Sequence, residues 1–267
     1  MRPSQLTLVE ADLAVVDLAP IVGGVDLIYH QAAQPGVRAS WGRQFETYAR
    51  DNVLATQRLL EAVKDQPLKK FIYASSSSVY GDAEAFPTSE SILPRPVSPY
   101  GVTKLAAEHL VQLYWRNYGV PTVSLRYFTV FGPRQRPDMA FHRFIRWAIE
   151  GQPIQVYGDG EQTRDFTYIS DAVAANIAAG LSEACGETFN IGGGSQVSVN
   201  QVLTLVSQLL ERPIDVRYLA TERGDVRHTS ADTSRALQHL GYSPQADLFS
   251  GLAAEIDCIT KNRAAVG

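Results

Sequence analysis

Cysteine is almost absent from this chain, and its scarcity excludes several designs. Cys185 and Cys258 stand far apart among 267 residues, so there is no disulfide framework, no redox C-x-x-C pair and no paired metal-ligand spacing. A reducing cytoplasm suits such a sequence best. Excess positive charge is also missing. The formal net charge is -4, which leaves no basic stripe to release counterions from nucleic acid. No stretch reaches the ~18 uninterrupted apolar residues of a membrane span, and Glu10 and Asp12 stand where a signal peptide would be apolar. Nucleic-acid binding, membrane insertion and secretion are therefore not expected. The five histidines form no His-Glu-x-x-His or comparable cluster, and no metal site is expected.

What is present is a large apolar fraction, 45%, enough for one large domain or a domain with a lobe. Gln5–Val9 reads as a short strand. Val25–Tyr29 reads as a buried strand that ends at the loop His30-Gln-Ala-Ala-Gln-Pro-Gly36. Leu54, Leu59, Leu60 and Val63 recur at helical spacing, and Lys70–Ala74 is again a short apolar run that stops at four serines. Ser98-Pro99 opens a helix to about Tyr118, since serine caps free N–H groups and proline suits the first helical position. A strand over Val123–Phe128 then runs into Gly132-Pro133. Strands alternating with helices predict a parallel sheet covered on both faces, with ligands beyond the carboxyl ends of the strands. Past Pro133 the spacing predicts helices over Phe141–Glu150 and Val199–Leu210 and a small-residue helix ending at Leu181. It also predicts short strands at Ile154–Tyr157, Asp165–Ile169 and Ile214–Tyr218, a loop or edge at Asn190–Gly194, and a mostly polar C-terminal helix.

Two features carry chemistry. Tyr100 and Lys104, four apart on a helix, share one face. With twelve tyrosines in the chain, the spacing alone is weak, and a surface pair is the plain alternative. A free tyrosine ionises near pH 10, so acting as a base near neutrality needs about 4 kcal/mol in favour of the phenolate, much of which an adjacent ammonium could supply. The second feature is Ala74-Ser-Ser-Ser-Ser-Val-Tyr-Gly81, a strand running into a polar loop at the carboxyl edge of the sheet, near the start of the Tyr100 helix. A serine there could hydrogen-bond a substrate hydroxyl; a turn-forming serine cluster is the alternative.

In order along the chain stand His30-Gln-Ala-Ala-Gln34, Asn52-Val53, Ser75–Gly81, Tyr100-x-x-x-Lys104, Arg126-Tyr-Phe-Thr-Val-Phe-Gly-Pro133, Gly158-Asp-Gly-Glu-Gln-Thr-Arg-Asp165 and Arg223-Gly-Asp225. Together they resemble the extended short-chain dehydrogenases that epimerise, dehydrate or decarboxylate nucleotide sugars, and the resemblance covers essentially the whole chain. It implies a Rossmann-like α/β domain over 1–131 and 164–194 and a substrate-binding lobe over 132–163 and 195–267. It makes Tyr100 the catalytic base, with Lys104 holding the nicotinamide ribose and Ser76 orienting the substrate hydroxyl. NAD is the implied cofactor, with Asp12, Ala32, Ala33, Gln34, Asn52, Ala74, Ser75 and Tyr127 as further contacts. Dehydrating and decarboxylating relatives usually carry an acid two before the loop tyrosine, where this chain has Ser78, so epimerisation leads.

For the substrate, a UDP-sugar, the resemblance implies Ser76 and Ser77 at the sugar, Arg164 and Arg223 in motifs that grip the diphosphate, Asp225 as a further substrate contact, and Tyr157 against the uracil; as bare residues the two arginines could be ordinary surface groups, and an apolar core role is the alternative for Tyr157. The stretch from Thr129 to Ala140 is similar to that of UDP-glucuronate 4-epimerases, in which Thr129 and Arg136 would clamp the C6 carboxylate. Arg136 could instead pair with Asp138. UDP-glucose and UDP-N-acetylhexosamines are the other candidate substrates, and a UDP-sugar-binding relative without turnover is the alternative of a different class. A homodimer is implied through the helix after Asn52 and the Tyr100 helix. Family members begin with a strand and a Gly-x-x-Gly-x-x-Gly turn, which these residues do not contain; the first two strand–helix units are expected to be missing, Gln5–Val9 to be detached from the sheet, and NAD to be held weakly.

Overall fold

The computed structural model describes residues 6–222 and 224–264. Arg223 lies outside the described residues. Along the chain run α1 (Ala19–Val22), β1 (Leu27–His30), α2 (Phe45–Tyr48), α3 (Ala55–Val63), β2 (Lys70–Ser76), α4 (Pro99–Tyr118), β3 (Thr122–Tyr127), β4 (Thr129–Phe131), α5 (Ala140–Glu150), β5 (Ile154–Tyr157), β6 (Thr163–Tyr168), α6 (Ile169–Leu181), β7 (Glu187–Ile191), β8 (Gln196–Ser198), α7 (Val199–Leu209), β9 (Val216–Leu219), α8 (Ser234–Leu240) and α9 (Leu248–Ala264). The main sheet is parallel, in the order β1-β2-β3-β7.

β2 is buried over its whole length, as a strand with helices on both faces must be. Alternation sends Phe71 and Tyr73 to one face, where they meet Leu59, Leu60 and Val63 of α3 and Ala107, Val111 and Tyr114 of α4. Ile72, with Val123 and Leu125 of β3, faces the other side against Ala175 and Ala179 of α6. Ser124 and Arg126 of β3 are buried as well, and by the same alternation they point back toward α4. The expected strand at Gln5–Val9 does not form: Gln5 is outside the described residues, and 6–9 have no regular structure, with Leu6, Leu8 and Val9 exposed. With no neighbour pairing β1 on that side among the described residues, the segment has no ladder to join.

A second core gathers Phe131, Phe141, Phe144, Ile145, Ile154, Phe166, Val202, Val206 and Leu252. Two small sheets frame it, β4-β6-β8 and β5-β9. One part of the C-terminal stretch departs from the sequence-based division: Ala236 of α8 and Tyr242 pack with Phe189 and Ile191 of β7, so this segment returns to the main sheet. The physical reason is the hydroxyl of Tyr242, which donates to the Gly192 carbonyl at 2.8 Å and ties the turn after α8 to the end of β7.

Candidate active site

The site is assembled where α4 starts. Ser98 caps the helix by accepting the Gly101 N–H at 3.1 Å, and Pro99 supplies the first turn. Gly101 is required by packing, because a Cβ there would stand 2.5 Å from the Ser78 carbonyl. This close approach sets the first turn of α4, with Tyr100, against the serine loop at the end of β2. Ser76 is buried, and its hydroxyl accepts the Ser78 N–H at 3.2 Å. Burial pushes the Tyr100 phenol up, while the Ser76 hydroxyl beside it and the charge of Arg136 pull it down. Lys104 is buried, its ammonium 4.7 Å from the centre of the Tyr73 ring. Desolvation brings its pKa down to about 8, with Glu108 opposing the fall. Ser76, Tyr100 and Lys104 are thus brought together.

The loop after β1 is held from behind. Asn52 is buried within a π-helical turn at 49–54. Its carboxamide accepts the Gln34 N–H at 2.7 Å and donates to the Gln34 carbonyl and the Thr103 hydroxyl, both at 3.0 Å. Both of its N–H donors are consumed, so Asn52 acts as a strut for Gln34. Tyr48 does the same for the next two residues, donating to the carbonyls of Pro35 and Gly36 at 3.0 and 2.8 Å, and its ring meets that of Tyr100 edge-on. Ala32 is exposed and Ala33 half-buried on this loop, while Ala74 is buried at the end of β2. Ser75 turns its hydroxyl inward to Glu108 at 2.5 Å. Asp12 is exposed, paired with Arg50 and with the Ala14 N–H; it is not among the residues that line the cavity described next.

That cavity, about 800 Å³, is lined by Gln34–Ala39, Thr129, Arg136, Tyr157, Arg164 and Asp225 among others. Thr129, Arg136, Tyr157, Arg164 and Asp225 therefore share one space, whereas Ser77 and the Ser76–Tyr100–Lys104 trio lie outside its lining. Arg136 connects the two, since its charge reaches Tyr100. Arg136 also makes a bidentate pair with Asp138, at 3.0 and 2.8 Å, so the alternative pairing does occur, inside the cavity wall. The loop that presents it turns at Arg134, whose φ of 68° is left-handed. It is anchored by Glu255, whose carboxylate accepts the Gly132 N–H at 2.9 Å. Burial raises the Glu255 pKa to about 7.

Sequence reasoning missed Arg38. Its guanidinium lies 4.3 Å over the Tyr157 ring and donates to Asp225 at 2.7 Å, joining the first loop to the second lobe. The signal was its place, two residues beyond the loop motif that ends at Gly36. Arg164 donates to the carbonyls of Thr163 and Arg227; burial lowers its pKa, with Asp225 opposing. The glycine run Gly192–Gly194 makes no phosphate cradle, because a Cβ at Gly193 would run into the Phe166 carbonyl and its N–H is already given to Asp165 at 2.6 Å.

A model of the NAD dependent epimerase/dehydratase family matches residues 2–192. The chain belongs to that family. It is 46% identical over 253 residues to an uncharacterized UDP-glucose epimerase, YtcB, of Bacillus subtilis, covering 94% of this chain and 80% of that protein. It is 38% identical over 240 residues to a UDP-glucuronate 4-epimerase of Thermodesulfobacterium geofontis, covering 89% of this chain and 73% of that one. Among solved structures, UDP-glucuronic acid 4-epimerase from Bacillus cereus, in complex with UDP-glucuronic acid and NAD, superposes with a TM-score of 0.92 at 46% identity, over 94% of this chain and 81% of that one.

Proposed function

We propose that the chain is an NAD-dependent UDP-sugar 4-epimerase whose substrate is UDP-glucuronate. One observation carries the reading: Arg136 and Thr129 line the same cavity as Tyr157, Arg164 and Asp225, while the charge of Arg136 reaches Tyr100. A cation for a sugar carboxylate thus lines a nucleotide-sugar-sized space, and its charge favours ionisation of the acid–base hydroxyl. The Bacillus cereus structure, with UDP-glucuronic acid and NAD bound, supports it.

When bound, NAD accepts the hydride from C4 of the sugar and returns it to the opposite face. The chain's residues do the rest. Tyr100 takes the proton from O4 and later gives one back. Ser76 holds that hydroxyl, and Lys104 places a positive charge behind the phenol. Arg136 and Thr129 bind the C6 carboxylate, Arg164 is the cation for the diphosphate, with Arg223 carried over to the same role from the motif alone, Asp225 is a further substrate contact that holds Arg38, and Tyr157 offers a ring to the base. For the cofactor, the nicotinamide end fits: Lys104 is buried one helical turn from Tyr100, and the buried Tyr127 hydroxyl has no hydrogen-bond partner among the described residues, with Gln31 and Asn176 next to it. Gln34, positioned by Asn52, and Ala32, Ala33, Ala74, Ser75 and Asp12 complete the proposed contacts.

We also propose a cytoplasmic homodimer. Phe45, Leu54, Val102, Leu113 and Tyr118, on α2, α4 and the turn between α2 and α3, are exposed although apolar, which suits four-helix packing about a two-fold axis. No helix among the described residues is long and apolar enough to cross a membrane. The substrate reading is tested by calorimetry with UDP-glucuronate, UDP-glucose and UDP, and by proton NMR of the sugar at millimolar NAD. UDP-glucuronate is expected to bind about tenfold tighter than UDP-glucose, the effect of one charge-assisted contact, and to yield its C4 epimer. Preference for UDP-glucose or a UDP-N-acetylhexosamine would move the specificity there; binding without turnover would favour the non-catalytic alternative.

A further inference from the structure

Behind the catalytic residues lies a chain of buried polar groups that the reaction itself does not use. Glu108 stands one helical turn beyond Lys104 on α4 and is buried, as is Arg126 of β3. The Arg126 guanidinium donates to both Glu108 oxygens, at 2.5 and 3.0 Å. The same carboxylate accepts the Ser75 hydroxyl at 2.5 Å, and Ser75 directly precedes Ser76. On its other side Arg126 donates to the Tyr80 hydroxyl at 2.8 Å, and Tyr80 donates to Asn190 of β7 at 2.7 Å. The Asn190 amide in turn donates to the Thr88 carbonyl at 2.8 Å. The carboxylate ties α4 to β2 and β3, and Arg126 and Tyr80 carry the chain on to β7.

A buried ion pair is weak evidence for stability, because desolvating two charges costs about as much as their attraction returns. Its retention beneath an active site calls for another account. Lys104 has lost most of its water; the Tyr73 ring of β2 lies 4.7 Å from its ammonium, and the ionisable groups that interact with its charge are His30 of β1 and Glu108 of its own helix. Of these only Glu108 is an anion. His30 is neutral, its pKa brought down to about 4 by burial and by the Lys104 charge, and it shares a hydrogen bond with Thr56 at 2.8 Å.

We propose that Glu108 is a positioning residue for the reaction: its carboxylate, fixed by Arg126, keeps the Lys104 ammonium charged inside the protein and pins Ser75, and with it the backbone that presents Ser76. The proposal rests on the reading of Tyr100, Lys104 and Ser76 as the reacting group. Without the carboxylate the buried lysine gives up its proton more easily, and the positive charge proposed to stand behind the reacting hydroxyl is lost. The support is geometric: Lys104 and Glu108 are four apart on one face of α4, both are buried, and Arg126 and Ser75 fix the carboxylate; in keeping with this, Glu108 opposes the desolvation of Lys104.

The test is the titration of the Lys104 side chain by carbon NMR in protein carrying 13C-lysine, the signal being assigned with Lys104→Arg. In Glu108→Gln the Lys104 proton affinity is expected to fall about tenfold or more, the effect of one nearby opposite charge, while UDP affinity stays within twofold, since Glu108 does not line the substrate cavity. Glu108→Gln leaves Arg126 as an uncompensated buried cation, so unfolding midpoints are followed in parallel. The double variant Glu108→Gln, Arg126→Met removes that penalty; it is expected to recover the midpoint but not the Lys104 titration. A Lys104 titration unchanged in both variants, or restored in the double variant together with the midpoint, overturns the proposal and leaves Glu108 a structural pair. If the wild-type chain does not bind UDP, the substrate reading fails while the lysine titration still decides the role of Glu108.

Discussion

The two walls of the site are built on opposite principles. The wall behind Tyr100 consists of buried groups whose hydrogen bonds are spent within the protein: Asn52 on Gln34 and Thr103, Ser75 on Glu108, Glu108 on Arg126, Tyr80 on Asn190. The wall facing the substrate cavity consists of ion pairs open to water, Arg136 with Asp138 and Arg38 with Asp225, whose side chains are 41 and 67% and 42 and 32% exposed. Exposed pairs are worth about 0–1 kcal/mol, so their arginines can change partner at little cost. Buried networks cannot be rearranged so cheaply. On the proposed reading, chemistry, which tolerates little misplacement, is given to the rigid wall and recognition of a charged ligand to the exchangeable one.

The largest break in this comparison comes from the rigid wall. Tyr100→Phe is expected to abolish epimerisation, a loss of about 10²–10⁴-fold or more if the hydroxyl is the acid–base group, and to leave UDP-sugar affinity nearly unchanged. Turnover is followed by proton NMR of the C4 epimer and affinity by calorimetry. Activity within tenfold of wild type would remove Tyr100 from the role of base.

The same contrast decides what could be read from the sequence. For Tyr100, Lys104 and the serine loop the local spacing is weak by itself; the strand–helix order, which also predicts the parallel sheet, puts them at one sheet edge, and the ordered family motifs single them out. Glu108 was not legible as a partner of Ser75 and Arg126, because that contact joins α4, β2 and β3 and no local pattern encodes it. Arg38 was missed for the same reason: its partners, Tyr157 and Asp225, are more than a hundred residues away in the chain and in the other lobe. The strand expected at Gln5–Val9 failed for a simpler reason, since apolar spacing proposes a strand but only a neighbouring ladder makes one. That α8 packs with Phe189 and Ile191 of β7 could not be read from its own pattern, which says that one face is buried, not against what.

A smaller effect is expected from the exchangeable wall. Arg136→Ala should weaken UDP-glucuronate far more than UDP-glucose, by about ten- to a hundredfold, because a charge-assisted contact worth ~1.5–3 kcal/mol is lost only by the acid sugar. Paired calorimetric titrations give the ratio directly. Equal losses on both sugars would make Arg136 a structural residue of the Arg134–Met139 loop.

The smallest expected effect separates the two walls most sharply. Asp138 holds Arg136 through Nε and Nη2, so a substrate carboxylate must either displace it or use the remaining edge of the guanidinium. If the pair is an exchangeable one, Asp138→Asn frees the cation, and UDP-glucuronate is expected to bind about two- to fivefold tighter, the limit set by an exposed pair worth up to 1 kcal/mol. UDP-glucose, which brings no carboxylate, should not respond. The gain should fade at high salt, since exposed charges are screened over about 3 Å at 1 M. Weaker binding of UDP-glucuronate in Asp138→Asn would reverse the reasoning: Asp138 would then be the residue that aims Arg136 at the sugar, and this part of the outer wall would be preorganised like the inner one.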